Sequence, residues 1–359
     1  MTDFQETKET VSLSLEGSPY EQGLQEGRAL AAGIAANADL AAGLTARVRQ
    51  TESYRRFVED NVRYLQESFP ELYEEMQGIS EGSGISAGRI QELNIPAYFL
   101  TERFPQECSM ILARGSATED GRTYVVKNRD MRTPIAQVML RRSYPDGLVI
   151  SEITGIGTVT YPASGINSRG LGVTTTGFWS SKVTPDMGSA GRSQIFLNIH
   201  LLLRTCGTVD EALEAIRGMS VMNGLNMILA DREKACVVEM TADGMEVEWD
   251  RGEGILYRTN HYVSPSLAGL NPERKEYPST FMRRERIGAL LKECRGHIRF
   301  QDLMRILSDH KDGINGICRH PRGEVRAQTV STTLFVLEDG ELWSTLKNPC
   351  LALPHTSVF

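Results

Sequence analysis

Cysteines, histidines and one G-x-S-x-G pentapeptide are the residues from which nucleophilic or metal chemistry would have to be built in this 359-residue chain. Gly84-Ile85-Ser86-Ala87-Gly88 has the pattern of a serine-hydrolase nucleophile elbow, which requires a strand directly before the serine and a helix after it. A helical run precedes Ser86, so the serine is expected to cap a helix. His200, His261, His297, His310, His320 and His355 form no H-x-x-x-H or H-E-x-x-H pattern. Cys318-Arg319-His320 is the nearest approach to a soft ligand pair, and no metal site is expected. No G-x-x-x-x-G-K-[ST] loop is present and the glycines of GINSRGLGVTTTG are not spaced for a dinucleotide turn, so no cofactor is expected either. What remains is Cys108, in PQECSMILARG, with VVKNRDM one hairpin later. A lone cysteine at a strand start ordinarily reads as a small buried hydrophobe.

The elements that must position Cys108 change character at that point. From Pro19 to about Tyr98 apolar residues recur at helical spacing, as in Tyr54, Phe57, Val58, Val62 and Leu65, then Leu72, Met76 and Ile79. A further helix is expected from Ser86 through Leu93, stopped by Pro96. After Cys108 the period becomes two: SMILARG and RTYVVKN flank a turn at Glu119-Asp120-Gly121, and QVMLRRS, LVISEIT and GTVTYP read as strands. Helices are expected at about 192–204 and 209–217, strands at NMILAD, CVVEMT, MEVEWD and ILYRT, helices at about 280–292 and 300–308, and a last hairpin turned on Glu338-Asp339-Gly340. Hairpin blocks alternating with helical blocks imply helices covering stacked sheets, an α+β fold.

Composition narrows the class. Forty per cent hydrophobic and 24% charged residues give ample core for a globular protein. The formal charge of −7 offers no positive field for nucleic acid. The charge divides unevenly: residues 1–107 carry 18 acidic and 9 basic side chains, net −9, and residues 108–359 carry 28 and 30, net +2. No apolar run approaches the roughly 18 residues that span a bilayer, so no membrane partner is expected. The cysteines Cys108, Cys206, Cys236, Cys294, Cys318 and Cys350 lack C-x-x-C pairing, which fits a reducing, cytoplasmic location.

Taken in order, several segments resemble the isopenicillin N acyltransferase family, a branch of the N-terminal nucleophile hydrolases related to the bile-salt hydrolases. They are GSPYEQGLQEGRAL, ELYEEMQGISEGSGIS, ECSMILARGSATEDGRTYVVKNRD, GINSRGLGV, NGLNMILAD, RTNHY, GICRH and the terminal NPC. The resemblance covers nearly the whole chain. It implies a four-layer αββα sandwich with a helical N-terminal segment, made as a precursor that cuts itself before the cysteine, here between Glu107 and Cys108. Residues 1–107 and 108–359 would then be an α-chain and a β-chain that stay associated as one domain. It also implies that Cys108 is the nucleophile, that Asp130 orients the new α-amino group or a substrate amine, and that Asn226 supplies an amide to the oxyanion. Asn128 and Asn167 are expected as structural support, and His261 and Tyr262 as pocket lining. Lys127 stands where bile-salt hydrolases carry arginine, Thr176 falls where those relatives supply an asparagine, Arg326 is offered as the downstream arginine, and Glu107 replaces the common glycine before the cysteine.

The chemistry follows from the groups. A thiol of pKa about 8.5 is mostly protonated at neutral pH, whereas a free α-amino group of pKa about 7.7–8.0 can take its proton, so an N-terminal cysteine carries its own base. The expected substrate is a small N-acyl compound whose acyl group passes through a Cys108 acyl-enzyme to water. Transfer from acyl-CoA is the close alternative, and an unprocessed relative that only binds a small molecule is the reading from another class.

Overall fold

The structure, a computed structural model, describes residues 12–95, 107–132, 135–160, 164–184, 197–218, 221, 224–352 and 354–358. Its first element is a strand the helical reading of this segment did not anticipate, β1 (Ser12–Glu16). Four helices follow: α1 (Pro19–Thr45), α2 (Glu52–Ser68), α3 (Pro70–Ser83) and α4 (Ala87–Asn94). Ser18 and Glu21 close a capping box on α1, satisfying amide groups that the first turn leaves without partners. Helices α1 and α3 approach backbone to backbone. A side chain at Gly23, Gly78 or Gly82 would strike the carbonyls of Glu75, Tyr20 or Leu24, and one at Gly27 would lie 2.7 Å from the Ile79 oxygen. Ser86 is the N-cap position of α4 and helix α3 precedes it, so no nucleophile elbow exists there.

Residues from 107 onward build β2 (Glu107–Ala113), β3 (Tyr124–Met131), β4 (Gln137–Ser143), β5 (Val149–Gly155), β6 (Ser164–Asn167), β7 (Gly172–Gly177), α5 (Leu197–Thr205), α6 (Val209–Arg217), β8 (Gly224–Ala230), β9 (Ala235–Thr241), β10 (Gly244–Trp249), β11 (Ile255–Arg258), α7 (Pro278–Cys294), α8 (Phe300–Leu307), β12 (Gln328–Val336), β13 (Glu341–Thr345) and β14 (His355–Val358). An eight-stranded sheet runs β1-β4-β5-β6-β7-β8-β9-β10 and a six-stranded sheet runs β11-β2-β3-β12-β13-β14. The strand expected over GTVTYP does not form across 157–160. Gly157 takes φ +80°, and the amides of Gly157 and Val159 are captured by Glu26 (2.7 Å) and Asn94 (2.7 Å) instead of by a neighbouring strand. The start of the helix expected from 192 lies outside the described residues.

Strand alternation assembles four layers. On β2 and β3, Met110, Leu112 and Val125 face Met139, Ile153, Ile166 and Ile228 of the larger sheet, while Ile111, Ala113 and Val126 pack under α7 and α8 through Ile287, Leu290, Leu303 and Ile306. The other face of the large sheet is covered by α5 and α6 on Ile150, Val173 and Leu229, and by α1, α3 and α4 around Val138 and Leu140. This is the αββα order expected from the sequence.

A strand pairing and a buried charge cluster add to the packing that binds residues 12–95 to the rest. β1 pairs in parallel with β4, Ser12 beside Met139 through Glu16 beside Ser143. Behind it the fully buried Arg142 receives Glu75 of α3 (2.5 Å) and Glu152 of β5 (2.7 Å), and His200 lies 3.3 Å from the other Glu152 oxygen. Among the described residues no helix is long and apolar enough to cross a membrane.

Candidate active site

Cys108, second residue of β2, is 1% exposed. Its N–H donates to Asn260 Oδ1 at 3.0 Å, and its carbonyl accepts from Arg283 Nη1. Arg283, on α7 and fully buried, also donates to Ser109 Oγ (2.8 Å), to Asn260 Oδ1 (2.7 Å) and to Ser279 Oγ (3.0 Å). On the other side of the 107–108 bond, the buried Glu107 carboxylate accepts from Ser279 (2.9 Å) and pairs with Arg319. A carboxylate taken out of water needs such a cation, since unpaired it would cost several kcal/mol. The bond expected to be cut is therefore gripped on both sides.

The hairpin register sets Glu107 opposite Asp130, Cys108 opposite Arg129 and Met110 opposite Lys127. Asp130 Oδ1 accepts from Thr329 (2.7 Å), and its buried Oδ2 has no hydrogen-bond partner among the described residues. Burial pushes this carboxyl up to about 7, against the lowering pull of Arg283, Thr329 and Lys127. Burial also draws the Lys127 ammonium down to about 8, while Cys108 and Asp130 act to raise it. Two groups around Cys108 thus titrate near neutrality, a pattern typical of working sites. Asn128 is occupied structurally: its amide donates to the carbonyls of Leu307 (2.8 Å) and Ile317 (3.0 Å), and its oxygen accepts from Thr332 (2.6 Å).

Asn226 and Thr176 sit side by side on β8 and β7. The Asn226 amide donates to the carbonyls of Thr259 (2.9 Å) and His261 (3.3 Å), and the Thr176 hydroxyl donates to the Thr259 carbonyl as well. They secure the backbone on either side of Asn260, whose own side chain touches Cys108. Asn260 is further held by Thr280 (2.8 Å) at its N–H and by the Gly177 carbonyl (2.7 Å) at its Nδ2. The amide beside the cysteine is thus Asn260, in the RTNHY segment, and Asn226 stands one residue behind it. The oxygen of Asn226 is buried without a hydrogen-bond partner among the described residues.

His261 lies against Phe281 (ring centroids 4.4 Å apart), and burial beside Arg284 and Arg283 holds its pKa down at about 3, so its imidazole is neutral in this fold. Tyr262 stacks on Phe178 (4.0 Å) and donates to the Met240 carbonyl (2.5 Å). Asn167 donates to the carbonyls of Leu203 (2.7 Å) and Cys206 (2.7 Å), fastening the β6–β7 turn to α5. Arg326 is exposed and outside this cluster; the arginine that reaches Glu107 is Arg319, within the GICRH segment. Arg283 carried no sequence signal, because an arginine in the helical run MRRER reads as surface.

Two surface clefts, of about 450 and 330 Å³, lie elsewhere, both bordered by Trp249 and Asp250. The histidines that look scattered in sequence are partly gathered in space: His310 and His320 lie with Cys318 and Cys350 in one cluster.

A protein-family model described as acyl-coenzyme A:6-aminopenicillanic acid acyl-transferase matches residues 116–350, starting just downstream of Cys108. Among solved structures, the chain is similar to a mutant and a variant of conjugated bile acid hydrolase from Clostridium perfringens (16% and 17% identity, TM-scores 0.44 and 0.45, each covering 70% of this chain and 97% of that one). Penicillin V acylase from Agrobacterium tumefaciens is similar at 14% identity and a TM-score of 0.43, covering 69% of this chain and 84% of that one. No curated protein sequence matches.

Proposed function

The chain belongs to the acyl-coenzyme A:6-aminopenicillanic acid acyl-transferase family, and on that premise we propose that it is a self-processing N-terminal cysteine enzyme that hydrolyses or transfers the acyl group of a small N-acyl compound. The observation that carries this reading is the set of buried polar contacts converging on Glu107 and Cys108, with Asn260 on the N–H of Cys108, Arg283 on its carbonyl, and Arg319 and Ser279 on the Glu107 side chain.

In processing, the Cys108 sulfur adds to the Glu107 carbonyl carbon as its proton passes to the departing nitrogen. The C–N bond breaks, a thioester forms, and water hydrolyses it to a Glu107 carboxyl and a free thiol. The freed α-amino group is the base that was missing before the cut. It sits one register step from Asp130, whose unpartnered Oδ2 supplies an acceptor for an ammonium. In turnover this amine takes the thiol proton as sulfur attacks a substrate amide carbonyl, then gives it to the leaving amine. The acyl-enzyme passes its acyl group to water. Asn260 is the side-chain amide next to the nucleophile: in the uncut chain its oxygen accepts from the Cys108 N–H, and its Nδ2, on the Gly177 carbonyl there, is the candidate donor to the oxyanion, with Asn226 and Thr176 holding the flanking backbone in place. The family's description favours a second reading in which acyl-CoA is the donor and an amine the acceptor.

Intact mass of the purified chain under denaturing, reducing conditions tests the proposal, with Cys108→Ala alongside. Two fragments divided between Glu107 and Cys108, absent from the variant, are expected; a single uncut chain from both would overturn self-processing. The processed enzyme offered N-acyl amides and acyl-CoA with an amine separates hydrolysis from transfer.

A further inference from the structure

The loop that carries Arg319 is bracketed by residues the proposed catalysis does not use. His310 follows α8, Cys318 and His320 flank Arg319 before β12, and Cys350 follows β13. Their ligand atoms all lie within 4.8 Å of one another. We propose that His310, Cys318, His320 and Cys350 form a binding site for one divalent cation of borderline softness, zinc by its chemistry, which anchors the Arg319 segment.

Three of the six edges between these ligand atoms have the spacing of a tetrahedral ion, and all six lie within 4.8 Å. Bonds of about 2.3 Å to sulfur and about 2.0–2.1 Å to nitrogen require S···S edges of about 3.8 Å and S···N edges of about 3.5 Å. The observed edges are 3.6 Å between the two sulfurs, 3.6 Å from Cys318 Sγ to His320 Nε2 and 3.2 Å from Cys350 Sγ to the same nitrogen. The two imidazoles stand nearly perpendicular, at 87° with centroids 5.7 Å apart, so they meet edge to face without stacking. A disulfide would employ the sulfurs alone, need them to close to about 2.05 Å, and leave two imidazoles converging on nothing. Four N and S donors of this kind are the set that structural zinc selects.

The surroundings support the ligands as a metal site requires. Asn348 Nδ2 donates both to Cys318 Sγ (3.5 Å) and to the Arg319 carbonyl (2.6 Å), a bond suited to a thiolate. The Cys318 N–H donates to the Asp309 carbonyl (2.8 Å), and the Asp309 carboxylate is held by Arg286 (2.6 Å). Gly316 lies against His310, where a Cβ would come within 3.0 Å of the histidine Cα. On binding, both thiols lose their protons to solvent, and two thiolates balance the dication. Cys318 is buried and His310 exposed, so the site opens outward. An ion there fixes the backbone on both sides of Arg319, while the guanidinium of that residue meets Glu107.

The test is the metal content of the full chain, purified under reductant and dialysed against metal-free buffer. About one zinc per chain is expected, with occupancy reduced at least about tenfold in Cys350→Ser and in His310→Ala. Because a variant can fail to fold, the unaltered chain is also stripped with a chelator and refilled with cobalt(II). Tetrahedral ligand-field bands and a sulfur-to-cobalt charge-transfer band are expected, and the thermal midpoint should fall on stripping and recover on refilling. A metal-free chain whose Cys318 and Cys350 titrate as free thiols would overturn the site. So would a Cys318–Cys350 disulfide, read as a loss of two hydrogens in intact mass. None of these readouts depends on cleavage or activity, so this inference and the Cys108 reading can fail separately.

Discussion

A thiol attacks a carbonyl only where something takes its proton and something faces the charge that forms, and in the proposed function both needs fall on the few atoms around Cys108. Asn260 touches the Cys108 nitrogen while Asn226 touches the backbone next to Asn260 and the Thr176 hydroxyl, so their variants should differ in kind. Asn260→Ala should lower kcat about 10²–10³-fold with KM little changed, the signature of a lost oxyanion donor. Asn226→Ala should cost less in kcat and more in thermal stability; equal kcat losses in steady-state assays would reverse the assignment. A second residue-level prediction concerns pH. Glu26 is fully buried, accepts from Gly157 with one oxygen and has no partner for the other, and burial pushes its pKa from the ordinary 4.5 up to about 7. The folded state therefore holds a proton that the unfolded chain releases. Its stabilising effect is complete below about pH 4.5 and is lost as pH rises through 7, about 3 kcal/mol in all. Asp130 in the uncut chain acts with the same sign. Glu26→Gln should flatten the slope of denaturation midpoint against pH over that window, and an unchanged slope would mean that Glu26 is ionised in the fold.

At the scale of elements, the hairpin β2–β3 and the helix α7 do the positioning: one registers Glu107 and Cys108 against Asp130 and Arg129, the other drives Arg283 under them. The hairpin is legible from its period of two and its turn residues. The role of α7 is not, because its inward arginine has the same letter and spacing as a solvated one. The seam between α1 and α3 makes a sharper prediction. Gly78→Ala places a methyl against the Tyr20 carbonyl, so the helices must separate. Overpacking of this kind typically costs about 1–3 kcal/mol, read as a lower midpoint in chemical denaturation, and a neutral result would mean that the helices have room to part. Gly88→Ala, in α4 with nothing among the described residues within 4 Å, is the control and should be neutral to mildly stabilising, since alanine favours a helix.

At the scale of the molecule, residues 1–107 and 108–359 share a sheet and a buried charge cluster, which no cut at 107–108 would undo. If processing occurs, the fragments should co-elute as one species in size-exclusion chromatography under native conditions and separate only in denaturant. Glu75→Gln leaves Arg142 with one carboxylate fewer in a site with no access to water. Breaking such a buried pair typically costs about 3–5 kcal/mol, so this variant should lower the midpoint of the assembled pair. The opposite net charges of the two segments add only a screened, long-range attraction to these local ties.

Sequence alone determined the element types, the change from helical to strand period near Cys108 and the layered fold, because periodicity and turn chemistry are local properties that recur wherever such residues fold; the role proposed for Cys108 came from the family resemblance. It also carried Asn260, Arg319, His310 and Cys350 in plain view without their roles. Those roles arise from contacts between residues far apart in the chain, as Asn260 to Cys108 or Cys350 to Cys318, and no local pattern encodes a distance across two sheets. Only the tertiary structure decided which asparagine meets Cys108, which arginine meets Glu107, and that two cysteines and two histidines without a motif converge on one point.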